Sequence, residues 1–384
     1  MGMNEYVLDI VKEAFCMSHR KKKFWLSLIA LGTLVASTVF ALSSLGATLT
    51  YAKKAISSAT DYTVPAGSDP WGTASDSNGN LWIAIPGCDP SPYCSTNTPP
   101  GRIAEFNPTS KAWIANYQLP SGYGQALFLT FKGSNLWFAS PMANIIGEFN
   151  TTTHKYQKWT VPTASSGPWD VAADSLGNIW FTEHYGNKIG RFSTSSHTFK
   201  EVATPATNSQ PYGITVDKSN NVWFTENNDA VALIAEYTAA GKLNEYKIRN
   251  TSTAGTGLTP HLITLDPNGN VWWSEGFVAR IGELKVAQAV PGTNKGVTEY
   301  SYTIKCSSCG THTSGISVSS NGTIWFDDSL QNTYGSFSDS GSGTASVYNA
   351  PTQNGHPHDG MHVDSQNRVW FDEEFANKLA LVIP

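Results

Sequence analysis

Residues 177–192 read GNIWFTEHYGNKIGRF, and variants of this string recur along the chain of 384 residues. The tryptophan near its centre, Trp180, has six counterparts. They are Trp82, Trp137, Trp223, Trp272, Trp325 and Trp370. Because a repeat of roughly 43 to 55 residues is typical of a propeller or a solenoid, the string marks one unit of a repeat architecture.

The letters around each tryptophan repeat as well. In five units an aspartate stands six residues before it: Asp76, Asp174, Asp217, Asp266 and Asp364. In five units an acid stands three residues after it: Glu183, Glu226, Glu275, Asp328 and Glu373. Since Glu183 has equivalents in four other units, we interpret the recurring acid as structural in most units. A role in a functional site is the alternative.

Each unit reads as four short strands separated by turn residues. In the fourth unit these strands are PYGITVD, NVWFTE, ALIAEYT and LNEYKI. Runs such as Ile179-Trp180-Phe181 are apolar on both strand faces. That pattern suits a sheet that is packed between two neighbouring sheets, as in a propeller blade.

The two ends of the repeat region complement each other. The chain ends at LALVIP (379–384), after the third strand of the last unit, and ATDYTVP (59–65) resembles outer strands such as YQKWTVP (156–162). Closing a ring in this way leaves only short, protected sheet edges. We therefore predict an all-β, seven-bladed β-propeller of four-stranded blades, in which the N-terminal strand completes the last blade. An open solenoid is the alternative.

The first 58 residues have a different character. Arg20–Lys23 form a basic cluster, and residues 24–52 carry no charge. About 20 apolar residues span a bilayer, and basic flanks stay in the cytoplasm. We therefore predict a cytoplasmic N-terminus at 1–23, a transmembrane signal anchor at 24–52, a linker at 53–58 and an extracytoplasmic propeller at 59–384. A cleaved signal peptide, giving a secreted protein, is the alternative.

Composition narrows the class of partner. Charged residues make up only 14% of the chain and the net charge is −5, which is a poor match to the basic face that a nucleic-acid partner needs, so we predict no nucleic-acid partner. The close pairs Cys88 with Cys94 and Cys306 with Cys309 predict two disulfides in an exported protein. Metal binding or redox chemistry is the alternative for Cys306 and Cys309.

One face of the predicted ring carries the variable residues. The segment leading into each first strand and the loop between the second and third strands share this face, which we call the top face. One position per unit just before the first strand, the lead-in residue, is Trp71, Ala126, Trp169, Tyr212, His261, Ser314 or Asp359. Variation at an equivalent site of a regular scaffold is typical of a ligand site.

Seven top-face residues are predicted to contact a ligand. They are Trp71, Trp169, Tyr212, His261, Asp328, Glu275 and His184. For the three aromatic residues, packing is the alternative role. For His184, the alternative is an exposed position without a role in catalysis. We call the opening of the ring at the top face the mouth. The long insertions at 84–100 and 284–312 are expected to line this mouth.

Histidines and carboxylates gather in the last two units. The predicted catalytic group is His312, His358, Asp359 and Glu373. A histidine that is oriented by a carboxylate suits general acid–base catalysis, because imidazole titrates near neutral pH. Top-face carboxylates are also the ligands that a divalent cation such as magnesium or calcium prefers.

The combination Pro-x-Gly-Ile, Asp-x-x-Gly-Asn-Ile-Trp-Phe-Thr-Glu and Asn-Lys-Ile-Gly-Arg resembles the repeat of the virginiamycin B lyase (streptogramin lyase) family. The resemblance covers residues from about 59 to 384. Members of that family are seven-bladed propellers. The founding enzymes linearise a cyclic depsipeptide antibiotic by elimination, with a histidine base and magnesium. The resemblance therefore implies a propeller fold and, if the chain is an enzyme, a lyase.

The site residues that the resemblance implies match at one of four positions. Glu373 matches the family's carboxylate after Trp-Phe-x. The catalytic histidine would fall on Asp359, with His358 displaced by one residue. A second histidine would fall on Ser314, with His312 two residues before it, and a further acid would fall on a proline.

Three functions follow from these patterns. The first is a membrane-anchored extracellular propeller that binds a peptide, a glycan, a small molecule or a surface partner at its top face. The alternative is a C–O lyase or hydrolase of the virginiamycin B lyase type, with a site of histidine, carboxylate and divalent metal on that face. A structural role in a cell-surface assembly is the third.

Overall fold

The computed structural model describes residues 59–89, 94, 98–338 and 344–384. These residues form seven four-stranded antiparallel sheets, which confirms the predicted all-β, seven-bladed propeller. The predicted anchor at 24–52 and its flanking segments lie outside the described residues. Within the described part, no helix is long and apolar enough to cross a membrane.

Each sheet of the first four blades follows chain order from its first strand to its fourth. Blade one contains β2 (Thr73–Ser75), β3 (Leu81–Ile85), β4 (Arg102–Asn107) and β5 (Ala112–Gln118). Blade two contains β6 (Leu129–Lys132), β7 (Asn135–Ser140), β8 (Ile145–Asn150) and β9 (Lys155–Thr160). Blade three contains β10 (Pro168–Ala173), β11 (Asn178–Glu183), β12 (Lys188–Ser193) and β13 (Thr198–Ala203). Blade four contains β14 (Pro211–Val216), β15 (Val222–Glu226), β16 (Leu233–Tyr237) and β17 (Leu243–Lys247).

The last three blades continue the pattern, and the final one borrows the first strand of the chain. Blade five contains β18 (Pro260–Leu265), β19 (Val271–Glu275), β20 (Arg280–Leu284) and β21 (Val297–Ser301). Blade six contains β22 (Thr313–Val318), β23 (Thr323–Asp328), β24 (Thr333–Ser338) and β25 (Ser346–Asn349). Blade seven contains β26 (His362–Val363), β27 (Val369–Glu373), β28 (Lys378–Val382) and β1 (Thr60–Thr63).

The ring closes between blades one and seven. β1 pairs antiparallel with β28, with Thr60 opposite Leu381, as the sequence predicts. The first strands of the two blades are also linked, because the Thr73 hydroxyl donates to the Gly360 carbonyl at 2.7 Å. Ser75 Oγ lies 2.8 Å from His362 Nε2. The N-terminal strand therefore completes the last blade.

The recurring aspartate explains why each repeat folds locally as it does. In blade three, Asp174 accepts the indole N–H of Trp180 at 2.9 Å and the backbone N–H of Asn178 at 2.8 Å. One side chain thus fixes the turn between the first two strands and pairs the buried indole. In blade six, Ser319 accepts the indole N–H of Trp325 instead, at 2.9 Å.

The recurring glycine of the third strand makes room for the second strand. Gly190 of β12 lies opposite Phe181 of β11. A Cβ at Gly190 would overlap the Phe181 ring, and the same holds for Gly282 against Trp273. Close contact between backbone and ring lets neighbouring blades pack densely.

In four blades a recurring asparagine of the top loop bonds to the segment that leads into the next blade. Asn187 adopts a left-handed conformation with φ of 52°. Its side-chain oxygen accepts the backbone N–H of Gln210, just before the next first strand, at 3.1 Å. Three further asparagines with similar φ make the same link: Asn144, Asn332 and Asn377. These bonds hold the segments that carry the lead-in residues.

The insertions differ in part from the prediction. Both disulfides, Cys88–Cys94 and Cys306–Cys309, are present. The expectation that all of 284–312 faces the top was wrong, because β21 lies inside that range. Residues 285–296 therefore belong to the opposite face, and only 302–312 lead back to the top. Gln331 holds the latter segment by donating to the Cys306 carbonyl at 2.9 Å.

Candidate functional site

The lead-in residues meet around the central channel and form a layer that we call the mouth floor. Each of the seven is at most 6% exposed. The ring centroids of Trp169 and Tyr212 lie 5.4 Å apart, and those of Tyr212 and His261 lie 4.0 Å apart. Trp71 packs edge-on against His358 at 5.0 Å. The aromatic members therefore pack together, and their contact with a ligand stays a prediction.

A bulge at the start of the first strand sets these positions. In blade three Pro168 pairs with Glu183 and Val171 pairs with Phe181, so two residues of β10 oppose one residue of β11. The same shift of register occurs in blades four, five and six. Since a bulge changes the direction of a side chain, it accounts for the burial of Trp169 at the channel.

Three histidines converge on the mouth floor from consecutive blades. His261, His312 and His358 each offer a ring nitrogen, and these atoms lie within 4.8 Å of one another. The ring centroids of His261 and His312 lie 5.0 Å apart, and those of His312 and His358 lie 5.3 Å apart. We call this group the histidine cluster. The structure thus brings His312 and His358 close together, and their role in catalysis stays a prediction.

Asp359 is the carboxylate of the histidine cluster. Its Oδ2 accepts a hydrogen bond from the Tyr212 hydroxyl at 2.5 Å, and its Oδ1 lies 3.3 Å from His261 Nε2. Burial alone would raise the pKa of Asp359, but the nearby His358 and His261 and the hydrogen bond from Tyr212 lower it well below its usual value. Asp359 is therefore ionised at neutral pH.

Further contacts orient the rings of the cluster. His261 Nδ1 lies 3.0 Å from Asn227 Nδ2, and His312 Nδ1 lies 3.1 Å from Ser329 Oγ. Burial lowers the pKa of His312 well below its ordinary value, and burial also lowers the pKa of His358. Both imidazoles are therefore neutral at pH 7, which is the form that binds protons or metal ions.

Two more carboxyls lie beside the mouth floor. Asp327 Oδ1 accepts the backbone N–H of Gly315, and Asp372 Oδ1 accepts that of Gly360, both at 2.7 Å. Burial raises the pKa of both groups well above the usual range, and the negative charge of Asp359 adds to the effect. Asp359 is therefore the charged member of this trio at neutral pH.

The predicted acids at the ends of the second strands contact their own blades. Glu373 Oε1 accepts the Thr352 backbone N–H at 2.8 Å. Glu275 Oε1 accepts the Trp273 indole N–H at 3.1 Å, and Asp328 accepts the Tyr302 hydroxyl at 2.7 Å. These contacts support the structural interpretation of the repeated acid, while the roles predicted for the three residues at a site stay predictions.

The acid next to the histidines is Glu374, which sequence reasoning missed. Its Oε2 lies 3.5 Å from His356 Nε2 and 3.8 Å from His358 Nδ1. Glu374 begins a short 3-10 helix, Glu374–Ala376, that follows β27. The repeat pattern points to Glu373, and nothing in the local sequence distinguishes its neighbour.

His184 is buried, so the alternative of an exposed side chain was wrong, and its contact with a ligand stays a prediction. It is 2% exposed, and its ring lies 5.2 Å from that of Trp169. Its Nδ1 lies 3.3 Å from the Pro211 carbonyl oxygen. Burial lowers the pKa of His184 to about 4. His184 therefore belongs to the packing around the mouth floor.

Apolar side chains surround the mouth above this floor, and sequence reasoning missed them too. They stand five residues after the repeated tryptophan in five blades: Met142, Tyr185, Phe277, Leu330 and Phe375. We call this set the apolar rim. Met142, Tyr185 and Phe375 are 40%, 50% and 46% exposed. Phe277 stacks on His312 at 4.7 Å, so this member of the rim contacts the cluster. Their equal spacing from the tryptophan is a signal that could have identified them.

The converging donors do not fit the magnesium that the family resemblance implies. Magnesium prefers oxygen ligands in octahedral geometry. The histidine cluster instead offers three ring nitrogens, and the oxygens of its carboxylate Asp359 already face Tyr212 and His261. We therefore derive no step through magnesium.

Comparison with known proteins agrees with the repeat pattern. The sequence model of the virginiamycin B lyase family matches residues 53–284 and, in a second alignment, residues 136–384. No curated protein matches the sequence.

Solved structures with the same fold include lyases and other propellers. Virginiamycin B lyase from Staphylococcus aureus is similar with a TM-score of 0.70 and 23% identity, over 85% of this chain and 99% of that one. A structure of the S. aureus enzyme in a catalytically inactive form with quinupristin gives a TM-score of 0.70 at 22% identity, over 85% and 99% of the two chains. YCF48 bound to D1 peptide gives a TM-score of 0.61 at 10% identity, over 85% and 97%.

Proposed function

The chain belongs to the virginiamycin B lyase family, and on that premise we propose that it is a propeller whose mouth binds a peptide with apolar side chains. The observation that carries this proposal is the apolar rim, in which Met142, Tyr185 and Phe375 remain exposed above a buried floor. Exposed apolar side chains that recur around one opening are typical of a binding surface.

The rim and the floor together suit a ligand with both apolar and polar groups. Burial of apolar surface contributes about 25 cal/mol per Å². The rim supplies such surface, and beneath it the histidine cluster and Asp359 offer polar atoms that hydrogen-bond amide or ester groups. His261 Nε2, His358 Nδ1 and Asp359 Oδ1 are buried without a hydrogen-bond partner among the described residues, so a ligand that pairs them gains free energy.

We place this propeller outside the cytoplasm, held at the membrane by residues 24–52. The two disulfides support that location, because such bonds persist in oxidising compartments. The basic cluster Arg20–Lys23 before the apolar segment supports the orientation. Protease treatment of intact cells that express the full chain tests it: the propeller is digested if it lies outside and is protected if it lies in the cytoplasm.

Binding is tested with quinupristin as the probe, followed through the tryptophan fluorescence of the full-length protein. We expect saturable quenching by quinupristin and none by a linear peptide of glycine and serine at the same concentrations. Equal responses to the two compounds, or no response to quinupristin and to other cyclic peptides with aromatic side chains, would refute an apolar peptide site.

A second candidate is cleavage of such a peptide by elimination, as the family resemblance implies. One observation favours it: His312 and His358 lie 5.3 Å apart beside Asp359, which brings the displaced histidines into a single group. An elimination needs a base that takes a proton from carbon and a group that protonates the leaving oxygen. A neutral imidazole of this pair can take the proton from carbon, and the imidazolium that forms can then give the same proton to the leaving oxygen.

Mass spectrometry of quinupristin after incubation with the protein tests this candidate. Elimination opens the ring without a change of mass and creates an unsaturated residue, whereas hydrolysis adds one water. The variant carrying both His312→Ala and His358→Ala should lose the reaction, and His154→Ala should keep it, because His154 lies in a turn on the opposite face. An unchanged ring in the presence of wild-type protein that binds quinupristin leaves binding as the function.

A further inference from the structure

We propose that His261, His312 and His358 bind one divalent transition-metal ion, of the zinc class, at the mouth floor. One ring nitrogen from each lies within 4.8 Å of the others. His261 lies at the start of β18 in blade five, and His312 and His358 precede the first strands of blades six and seven, so the site is formed by three consecutive blades. A metal ion is not needed for peptide binding by the apolar rim, and the inference goes beyond the proposed function.

The contacts of the outer ring nitrogens support this assignment. His312 Nδ1 lies 3.1 Å from Ser329 Oγ, and His358 Nδ1 lies 3.8 Å from Glu374 Oε2. Histidines that bind metal ions usually use one nitrogen for the ion and hold the other with a polar neighbour, which fixes the ring. The hydrogen bond at Nδ1 leaves Nε2 of His312 for the ion, while Nδ1 of His358 has no hydrogen bond and faces the Glu374 carboxylate.

His261 follows the same rule after one adjustment. Its Nδ1 faces Asn227 Nδ2 at 3.0 Å, and that amide also donates to the Pro260 carbonyl at 3.0 Å. A metal-bound His261 carries a proton on Nδ1 and requires an acceptor. Rotation of the Asn227 amide by half a turn presents its oxygen to that proton, at the expense of the bond to Pro260.

Charge and burial at the site favour a cation. Asp359 Oδ1 lies 3.3 Å from His261 Nε2 and has no hydrogen-bond partner among the described residues. The side chains of His261 and Asp359 are 7% and 0% exposed. The buried charge of Asp359 has one hydrogen bond, from Tyr212 to Oδ2, and a cation beside Oδ1 offsets the remaining cost of burying it.

The donor set selects the class of metal. Imidazole nitrogen suits zinc, copper, nickel and cobalt, whereas magnesium and calcium select oxygen. Three protein ligands are also the number that catalytic zinc sites use, as in sites of three histidines. The structure thus favours a different ion from the magnesium or calcium that the sequence suggested.

The test is a metal titration of the full-length protein, stripped with a chelator and kept in detergent. Co²⁺ is the probe, because its visible absorption reports tetrahedral nitrogen coordination, and Zn²⁺ and Mg²⁺ are the competitors. We expect one Co²⁺ per chain, displaced by Zn²⁺ and not by Mg²⁺. Binding that is absent in the folded protein, or equal competition by Mg²⁺, would overturn the inference.

Variants identify the ligands. His312→Gln should lose the Co²⁺ spectrum, and His356→Gln, a mouth histidine outside the cluster, should keep it. Asn227→Leu should weaken the affinity roughly 10- to 100-fold, as for other neighbours that orient metal-bound histidine. An unchanged affinity in folded His312→Gln would contradict the assignment. If that variant does not fold, X-ray absorption of zinc in the wild-type protein decides, since three imidazole ligands are expected and an oxygen-only shell would refute them.

These readouts do not involve a peptide. A protein that binds quinupristin without Co²⁺ refutes only the metal site, and one that binds Co²⁺ without quinupristin refutes only the proposed function.

Discussion

Glu183 is fully buried, and neither of its carboxylate oxygens has a hydrogen-bond partner among the described residues. Burial raises the pKa of Glu183 to about 7, and the charge of Glu201 adds to the effect while Lys188 opposes it. The usual value is 4.5. Because the folded state favours the protonated acid, its contribution to stability is full below pH 4.5 and falls as the pH rises toward 7.

Replacing this carboxyl by an amide should therefore stabilise the protein at high pH only. Glu183→Gln keeps the shape and removes the ionisation. We expect the free energy of unfolding to rise by up to about 3 kcal/mol at pH 8, and to be unchanged at pH 4. Urea denaturation at the two pH values measures the difference. A gain of equal size at both values would mean that ionisation of Glu183 plays no part.

Asp174 offers a test of the turn that each repeat builds. Its carboxylate accepts the Trp180 indole N–H and two backbone N–H groups. Asp174→Ala should lower the free energy of unfolding by about 2 to 4 kcal/mol, since buried donors lose their acceptor. Asp174→Ser should lower it by less, because Ser319 accepts the indole N–H of Trp325 at the equivalent position of blade six. Thermal unfolding of the two variants shows which is less stable. Equal losses of stability would count against a contribution from the indole contact.

At the scale of the strand, the small residue opposite the second-strand aromatic ring limits what each blade accepts. Gly190 faces Phe181, and Gly282 faces Trp273. In blade four an alanine, Ala235, already faces Phe224. A phenylalanine ring is therefore compatible with a methyl group opposite, whereas the larger indole has no such precedent among these strands.

Gly282→Ala should consequently be more harmful than Gly190→Ala. Overpacking typically costs 1 to 3 kcal/mol, and we expect about 1 kcal/mol for Gly190→Ala and about 3 kcal/mol for Gly282→Ala. Chemical denaturation of both variants measures the costs. Similar losses of stability in the two variants, or a larger loss in Gly190→Ala, would show that the size of the opposing ring does not determine the effect.

The N-terminal strand is the element that closes the ring. Without β1, the apolar strand β28 presents an open edge. Phe106 also loses the Tyr62 ring of β1, which lies 4.8 Å away. Deletion of residues 1–64 should therefore give a protein that aggregates and unfolds at lower temperature, because exposed edges associate. Deletion of residues 1–52, which keeps the strand, is the control. Light scattering and calorimetry that fail to separate the two proteins would refute closure by β1.

The elements also show where prediction from sequence reaches its limit. The repeated letters around Trp180 predict strands, blades and closure, because propensity and pattern act within one unit. They did not predict that Glu374 rather than Glu373 faces His358, since a 3-10 turn after β27 changes the side-chain directions. The repeated letters also did not predict that residues 285–296 lie on the opposite face. The insertion reads as one long loop in the sequence, although it contains β21.

For the whole molecule, the candidate site depends on contacts between blades. His261, His312 and His358 are about 50 residues apart in sequence and meet only in the closed ring. The sequence placed all three on the top face and grouped two of them, His312 and His358, but the close approach of the three rings depends on loop paths that no local pattern encodes. The apolar rim was accessible to sequence reasoning, because its members share one position relative to the tryptophan.

The central claim is that the molecule functions through the mouth bounded by the apolar rim. The most direct measurement is the calorimetric dissociation constant of quinupristin for three proteins: wild type, the double variant Tyr185→Ala with Phe375→Ala, and Leu176→Ala. Leu176 is 73% exposed in a turn on the opposite face and serves as the matched apolar control. Removing two aromatic contacts should weaken binding at least tenfold, in line with about 1 kcal/mol or more for each important interface residue, and Leu176→Ala should bind as the wild type does. Unchanged binding by the double variant, or an equal loss in Leu176→Ala, would contradict the account.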